Sequence, residues 1–451
     1  MQTLPQAYNV KREAKSIIKL GTPLIFSHTA IIAMSATDTI MSAQVSTESL
    51  AGLAVAVSIW SAISVMILGM CGSLATIAAQ YHGARRYSRI GHQVYQTGWI
   101  ALLSSLVVGF ILLTSVFWLK WIQPDTPLTD IAIEYLQVIS IGLLGYALTA
   151  VLRGTCEAVG DTNLAMLTNG LLFVLNLVFD YLLVFGKFGL PELGPIGCAW
   201  ASVISYWIVA IALTTFLKRQ DKYKQFNIFN KVWNPNWPEI KKHLNIAIPL
   251  ALGTGSEVFF FSSIALFVVP FGELPVASHQ IVINFSSLVY MIPLGFSVAV
   301  CIRSAGLRGA GNPKQARFSA FVAIQLSVII AALTALITIL LRNWVAEIYT
   351  PDQAVQEMVA KLLLLCAIYQ IADAIQVSSW GGLRGFGDLK VPMVMQLISY
   401  WLIGFPMGYF LAHVLGWEIF GFWTGIIFGL STAAVLLHVR LRIITKHLKP
   451  A

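Results

Sequence analysis

The sequence predicts an all-α polytopic membrane protein with twelve transmembrane helices in two six-helix bundles. Three observations predict this fold class: the composition, the spacing of the apolar runs and an internal repeat. Of 451 residues, 57% are hydrophobic and only 11% are charged, whereas soluble domains carry about 25% charged residues. The composition therefore excludes a soluble protein with one membrane anchor.

Twelve apolar runs are long enough to cross a bilayer, which takes about 20 residues. They cover roughly residues 17–43, 50–80, 93–117, 131–151, 163–186, 197–217, 243–269, 278–302, 316–341, 357–381, 392–412 and 419–439. The first run follows a basic segment and is not followed by a signal-peptide cleavage site. We therefore expect it to remain as a signal anchor.

Basic residues give the direction of the chain through the membrane. Of the 29 lysines and arginines, all but Lys120, Lys187, Arg342 and Lys361 fall in the termini and loops of one side. Positive charge is retained in the cytoplasm, so we expect both termini there. The net charge of +9 then reflects topology and contact with anionic lipid, and nucleic acid is not an expected partner.

The two halves of the chain resemble each other. The polar, Pro-containing stretch 218–242 predicts a cytoplasmic linker between an N-terminal lobe, 1–217, and a C-terminal lobe, 243–451. Residues 226 positions apart match at Pro23 and Pro249, Gly69 and Gly295, and Gly83 and Gly309. Because each half has six helices, the repeat is parallel, and a substrate cavity is expected between the halves.

Several classes of protein have no support in the sequence. The chain carries neither an HExxH motif nor a GxxxxGK[ST] motif, so zinc hydrolysis and ATP-driven transport are not predicted. The GxGD pattern ending at Asp388 falls in a basic loop, where a turn explains it better than an intramembrane protease. The five cysteines lack CxxC spacing and are interpreted as packing residues. We expect no enzyme and no cofactor.

Four acidic residues lie inside the apolar runs, without a lysine or arginine nearby in sequence: Asp38, Asp180, Glu257 and Asp373. A lone carboxylate in a bilayer is costly and is a functional candidate by default. It can hold a cation, carry a proton or pair with a cationic substrate. The four acids therefore predict a cation-coupled transporter.

The first two acids belong to the N-terminal lobe. Asp180 shares one helix face with Asn176 and Asn169, and we expect it to converge with Asp38. Two adjacent carboxylates repel each other, so one is expected to hold a proton near neutral pH. The alternatives are an interfacial position for Asp38 and a hydrogen-bond cluster that locks helices together for Asp180.

The other two acids belong to the C-terminal lobe. Asp373 has Tyr369 one turn before it and Gln376 one turn after it, so carboxylate, phenol and amide oxygens share one face. Such oxygens suit a hard cation such as Na⁺. Glu257 follows Gly253 and Gly255, which allow close approach of a ligand or another backbone. The alternative for Asp373 is a protonated acid bonded to a neighbouring backbone group.

Several strings in the chain resemble the multidrug and toxic compound extrusion (MATE) family, in particular its NorM-type branch. The strings are Asp38-Thr39-Ile40-Met41, Gln80-Tyr81-His82-Gly83-Ala84, Glu257-Val258, His279-Gln280, Ile368-Tyr369-Gln370 and Gly421-Phe422-Trp423. The resemblance covers essentially the whole chain. It implies two six-helix bundles around a V-shaped cavity and export of cationic drugs, antibiotics and dyes against a Na⁺ or H⁺ gradient.

The resemblance also implies roles for individual residues. Glu257, Tyr369 and Asp373 correspond to a Na⁺ site, and Asp38, Asn176 and Asp180 to a proton or cation site. The expected substrate contacts are Asp38, Glu257, Gln280, Asn284 and Asp373. NorM-type members often have Asn in place of Asp180, so the coupling ion stays open between Na⁺ and H⁺.

The resemblance implies a monomer in the bacterial inner membrane, in contact with lipid. The alternative function is a flippase for lipid-linked precursors or polysaccharides from the same superfamily. Such proteins usually line the cavity with arginines that bind phosphate. The predicted cavity helices of this chain carry acids instead, which favours a cationic substrate.

Overall fold

The computed structural model of the chain describes residues 9–122 and 126–446, without the side chains of residues 47, 48 and 122. These residues form fifteen α-helices: α1 (Val10–Val45), α2 (Thr47–Gly83), α3 (Ser88–Leu113), α4 (Ser115–Ile122), α5 (Pro127–Ala158), α6 (Thr162–Val184), α7 (Pro195–Arg219), α8 (Asp221–Lys224), α9 (Trp237–Val268), α10 (Glu273–Gly309), α11 (Pro313–Tyr349), α12 (Gln353–Phe386), α13 (Lys390–Leu397), α14 (Phe405–Tyr409) and α15 (Glu418–Lys446). The π-helical segment Ile398–Gly404 joins α13 to α14, and a second one, Phe410–Val414, continues α14, so that Lys390–Val414 forms one span.

Twelve spans in the described residues are long and apolar enough to cross a membrane. They confirm the predicted all-helical membrane fold. Several helices extend beyond the apolar runs that predict them. For example, α10 has 37 residues, which corresponds to about 55 Å at 1.5 Å per residue, whereas the hydrocarbon core is about 30 Å thick.

The chain folds into two compact units. The mid-chain unit comprises residues 26–251, and the split unit comprises the described residues up to 25 together with those from 252 onward. The boundaries fall inside α1 and α9, in each case two residues after a proline, Pro23 or Pro249. A proline inside a helix removes one backbone hydrogen bond, so each boundary follows a weakened turn.

In the split unit, the beginning of α1 is anchored to α10. Glu13 accepts two hydrogen bonds from Arg303, at 2.8 Å from Nε and 3.0 Å from Nη2. A Cβ atom on Gly295 would lie 2.5 Å from Cγ1 of Ile25, so glycine is needed where these helices cross. The core of this unit contains Phe260, Tyr400, Phe422 and Trp423, all fully buried.

In the mid-chain unit, the segment after α7 packs on α3. The backbone N–H of Gly91 donates to the carbonyl of Phe226 at 2.9 Å, and the Trp99 indole donates to the carbonyl of Trp233 at 3.0 Å. His243 of α9 makes a 2.8 Å hydrogen bond with Oε1 of Gln93. The stretch predicted as a linker is therefore held against this unit by several hydrogen bonds.

Asp388, which ends the GxGD pattern, and Asp161, in the similar Gly160-Asp161 dipeptide, each form an ion pair. Asp388 pairs with Arg440 at 2.7 Å, and Asp161 pairs with Lys222 at 2.8 Å. Burial opposes ionisation of Asp161, but hydrogen bonds from Lys222 and Tyr223 outweigh it and hold the pKa of Asp161 below its usual value. Both aspartates thus fasten loops, which for Asp388 agrees with the turn interpretation.

The contact between α10 and α12 depends on a glycine and allows a stability test. A Cβ atom on Gly381 would lie 2.2 Å from the carbonyl oxygen of Ser297. We expect Gly381→Ala to lower the free energy of unfolding by about 1–3 kcal/mol through overpacking, measured by thermal unfolding of the purified protein. The control is Gly170→Ala in α6, where no atom lies within 4 Å. Equal midpoints for both variants would contradict the close crossing.

Candidate functional site

The four acids singled out in the sequence are all buried. The relative exposure is 5% for Asp38, 0% for Asp180, 9% for Glu257 and 5% for Asp373. Within the described residues, none of the four forms an ion pair with lysine, arginine or histidine. A buried, unpaired carboxylate is very costly when charged, so each must hold a proton or a cation.

In the mid-chain unit, three helices bring ligand atoms together. Asp38 of α1, Asp180 of α6 and Cys198 of α7 each place one donor atom within 4.8 Å of the others. The Cys198 thiol also lies 3.5 Å from Oγ of Ser42 and 3.7 Å from the carbonyl oxygen of Asp38. The predicted convergence of Asp38 and Asp180 is thus present in the fold.

Asn176 links the two carboxylates. With its amide nitrogen facing the acids, it donates to Oδ1 of Asp38 at 3.2 Å and to Oδ2 of Asp180 at 3.0 Å. Its amide oxygen then accepts from Oγ of Ser202 at 3.3 Å. Asn169, predicted on the same face, instead binds Ser27 through its amide at 2.9 Å. This network positions the acid pair but does not neutralise it.

The acid pair can therefore hold one positive charge at a time. Two carboxylates in contact cannot both stay ionised in a medium of low dielectric constant. A shared proton or a small cation removes the repulsion. Because Asn176 already donates to both carboxylates, a single proton between them would complete the network.

In the split unit, Glu257 of α9 lies against α12 and the π-helical segment. Nε2 of Gln376 donates to Oε2 of Glu257 at 3.5 Å, and the hydroxyls of Tyr290 and Tyr400 face the same carboxyl group. One turn before Glu257, Gly253 gives room to Gln396, because a Cβ atom there would lie 2.7 Å from Oε1 of Gln396. The predicted close approach at Gly253 is thus present.

Asp373 borders a small cavity within the split unit. The cavity has a volume of about 20 Å³, and Ser286, Tyr290 and Tyr369 also line it. The hydroxyls of Ser286 and Tyr369 are in contact. One water molecule needs a cavity of about 10–15 Å³, so this cavity can hold one water or one small ion. Tyr369 and Asp373, predicted to act together, line one space.

Several buried oxygens around these acids have no hydrogen-bond partner in the described residues. They are Oδ1 of Asp373, Oε1 of Gln376, Oε1 of Gln396 and the Tyr400 hydroxyl. Buried polar atoms are nearly always satisfied, so each exception requires an explanation. Carboxylate, amide and phenol oxygens are the donors that a hard cation prefers. These unpartnered oxygens are of the types that bind Na⁺.

The remaining predicted substrate contacts lie elsewhere. Gln280 and Asn284 are exposed on α10, and Asn284 accepts a 2.9 Å hydrogen bond from the Tyr349 hydroxyl. Neither residue lines the cavity beside Asp373. Their role in substrate binding remains a prediction.

Sequence reasoning missed the residues that surround the acids from other helices. Cys198 and Ser202 lie one turn apart on α7, and Gln396 of α13 lies four residues before Tyr400 of the π-helical segment that follows. Polar residues spaced by four in an apolar helix are the available signal. The same spacing singles out Gln280 and Asn284 in the sequence. It is equally present in the Cys198–Ser202 and Gln396–Tyr400 pairs.

Twelve helices long and apolar enough to cross a membrane, together with four buried acids that are unpaired among the described residues, are typical of a membrane transporter. The family is also evident: the MatE family model matches residues 23–182 and 249–410. The chain belongs to the MatE family, which confirms the resemblance. The two matched segments begin 226 residues apart, the offset that relates Pro23 to Pro249, so the internal repeat and the family match agree.

Relatives are similar over nearly their full length. The probable multidrug resistance protein NorM of Idiomarina loihiensis is 34% identical over 447 residues, covering 97% of this chain and 96% of that protein. The multidrug resistance protein MdtK of Yersinia pseudotuberculosis is 34% identical over 439 residues, covering 96% of each.

Solved structures share the fold. The eukaryotic MATE transporter AtDTX14 is 23% identical with a TM-score of 0.88, covering 98% of this chain and 97% of that one. A transporter of the MOP superfamily from Pyrococcus furiosus, described as having a binding pocket of reverse polarity and a different function, is 19% identical with a TM-score of 0.88, covering 99% of each. At these identities the likeness concerns the fold alone.

Proposed function

We propose that the protein is a secondary-active antiporter that exports cationic drugs and dyes in exchange for Na⁺ or H⁺. One observation carries the proposal: four buried acids lack a cationic partner within the described residues, and they are grouped in two sites. The names of the relatives, NorM and MdtK multidrug resistance proteins, support drugs as the substrate class.

Exchange follows from competition for the same carboxylates. A cationic drug and a coupling ion each need the negative charge, so binding of one weakens binding of the other by the same factor. An ion arriving from outside neutralises the acids and removes the counter-charge of the drug, which is then released. If more charge enters than leaves, the membrane potential adds about 2.3 kcal/mol per charge per 100 mV.

The two sites favour different ions. In the split unit, unpartnered oxygens of Asp373, Gln376 and Tyr400 suit Na⁺. In the mid-chain unit, Asp38 and Asp180 already share Asn176 as a donor, and a proton between them suffices. We therefore assign Na⁺ coupling to Glu257, Tyr369 and Asp373, and proton coupling to Asp38, Asn176 and Asp180.

The flippase alternative is disfavoured by the buried charges. Within the described residues, six acids are buried but only one arginine, Arg153. This arginine is neutralised by Glu157 at 2.7 Å. A phosphate-bearing substrate held inside the protein needs a free cation beside it, and the buried side chains of the described residues offer none. The reversed pocket polarity in the name of the Pyrococcus furiosus protein shows why fold likeness alone does not decide the substrate.

Localisation is part of the same proposal. The charge asymmetry supports cytoplasmic termini, and the bacterial relatives support the inner membrane. The transporter acts as a monomer surrounded by lipid. The test fuses to the C-terminus a reporter that is active only outside the cytoplasm. Activity of this reporter would contradict the topology.

The coupling ions can be separated in proteoliposomes loaded with the cationic dye ethidium. We expect an inward Na⁺ gradient alone, and an inward proton gradient alone, each to drive dye efflux, because the two sites take different ions. A K⁺ gradient of equal size is the control. Efflux that responds to neither gradient would overturn the antiporter proposal. If only one gradient drives efflux, the protein is still an antiporter, but the assignment of a different ion to each site is wrong.

A further inference from the structure

An open groove lies on the split unit, apart from the acid sites. It has a volume of about 560 Å³, within the size range of small-molecule sites, and its walls come from α11, α12 and α15. Ile329 and Val435 at its rim are 59% and 62% exposed. In a protein that crosses the membrane, such an exposed apolar surface faces hydrocarbon chains.

Two polar side chains line this otherwise apolar groove. They are Gln325 of α11 and His438 of α15. Nδ1 of His438 is buried and has no hydrogen-bond partner in the described residues, and Gln325 is exposed. A bilayer interior offers no water to such groups. An occupant with polar atoms at one end would satisfy the exposed Gln325 amide.

Two arginines lie at one end of the groove, where α11 begins and α15 ends. Arg442 follows His438 by one turn on α15 and is exposed. Arg317 precedes Gln325 by two turns on α11, and its guanidinium lies 5.7 Å from the Phe321 ring, which packs edge-on against His438. Neither arginine forms an ion pair within the described part of the chain.

We propose that this groove binds an anionic phospholipid. An acyl chain lies against Val328, Ile329 and Val435, the ester region meets Gln325 and His438, and the phosphate contacts Arg442 and Arg317. The charges decide the headgroup class, because two arginines without an acidic partner at the groove end complement a net negative charge.

The dimensions agree with one lipid in one leaflet. From Arg317 to Ile329 the helix advances twelve residues, or about 18 Å, and half the hydrocarbon core is about 15 Å. The repeat supplies a contrast, because the position 226 residues before Gln325 is Trp99. That indole donates to the carbonyl of Trp233, so the corresponding helix face carries a bulky side chain held by protein.

The test uses native mass spectrometry of the full chain in detergent, with phosphatidylglycerol or phosphatidylcholine of identical acyl chains. We expect the first phosphatidylglycerol to bind more tightly than phosphatidylcholine. Arg442→Gln should weaken that binding roughly fivefold, as expected for one basic residue near a headgroup. Arg342→Gln, near the other end of the same helix α11, is the matched control and should leave it unchanged.

A second variant tests the groove itself. Gln325→Trp introduces an indole at the position that corresponds to Trp99 in the first half of the repeat. The indole should exclude the acyl chain and lower binding of the first phosphatidylglycerol, while ethidium transport continues. Equal binding of the two lipids, or equal effects of Arg442→Gln and Arg342→Gln, would overturn the headgroup assignment. Unchanged binding in Gln325→Trp would overturn the groove as the site.

Discussion

Replacing Asp373 with asparagine is expected to reduce Na⁺-driven ethidium efflux by about tenfold or more, within the 5–150-fold range typical of coupling between two ligands. The amide keeps the shape of the side chain but removes the charge that attracts Na⁺ into the cavity shared with Tyr369 and Ser286. Efflux driven by a proton gradient should fall less, because the mid-chain acids remain. The measurement is the initial rate of efflux in proteoliposomes under each gradient.

The matched control for this variant is Glu357→Gln. Glu357 is an exposed acid on the same helix α12, so its replacement removes one negative charge without touching the cavity. We expect its efflux rates to equal those of the parent protein. If Asp373→Asn, present at normal level, transports equally well under both gradients, the Na⁺ site in the split unit is wrong.

The fold could be predicted from the sequence because its signals are local. Each membrane span requires an uninterrupted apolar run, and twelve such runs correspond to twelve spans in the described residues. The ends of the helices were less predictable, because polar residues beyond the bilayer continue a helix once it is nucleated. The packing of the 218–242 stretch on α3 depends on hydrogen bonds from distant residues such as Trp99 and Gln96, and no local pattern encodes those.

The acids of the site could also be predicted, because a carboxylate in an apolar run is conspicuous. The groups around them could not. Helical periodicity identifies residues on one face of one helix, as with Tyr369 and Asp373, but it cannot match faces of different helices. Cys198 reaches Asp38 and Asp180 across three helices, and Gln396 meets α9 only because Gly253 lacks a side chain.

The internal repeat predicts the architecture but not the sites. At the offset of 226, Asp38 corresponds to Ile264, and Glu257 corresponds to Ile31. The repeat therefore preserves the helices and their prolines, while each half carries its acids at different positions. Two sites of different geometry in one repeated scaffold give a physical reason for assigning them different ions.

The acid pair of the mid-chain unit gives the second large expected effect. We expect Asp38→Asn to lower proton-driven efflux by about tenfold or more, because the remaining carboxyl of Asp180 can no longer share a charge with a partner. The loss under a Na⁺ gradient should be smaller. The control is Asp130→Asn, an exposed acid whose pairing with Lys120 at 3.1 Å lies on the surface and contributes little. It should leave both rates unchanged.

A double variant decides whether the two acids act as one unit. Asn176 donates to both carboxylates, so either single replacement already removes the shared charge. Residues that act together give non-additive losses, and we expect the Asp38→Asn/Asp180→Asn double variant to be no slower than the more impaired single variant. Losses that multiply would mean that Asp38 and Asp180 contribute independently, and the shared-proton arrangement would then be wrong, even though both acids matter for transport.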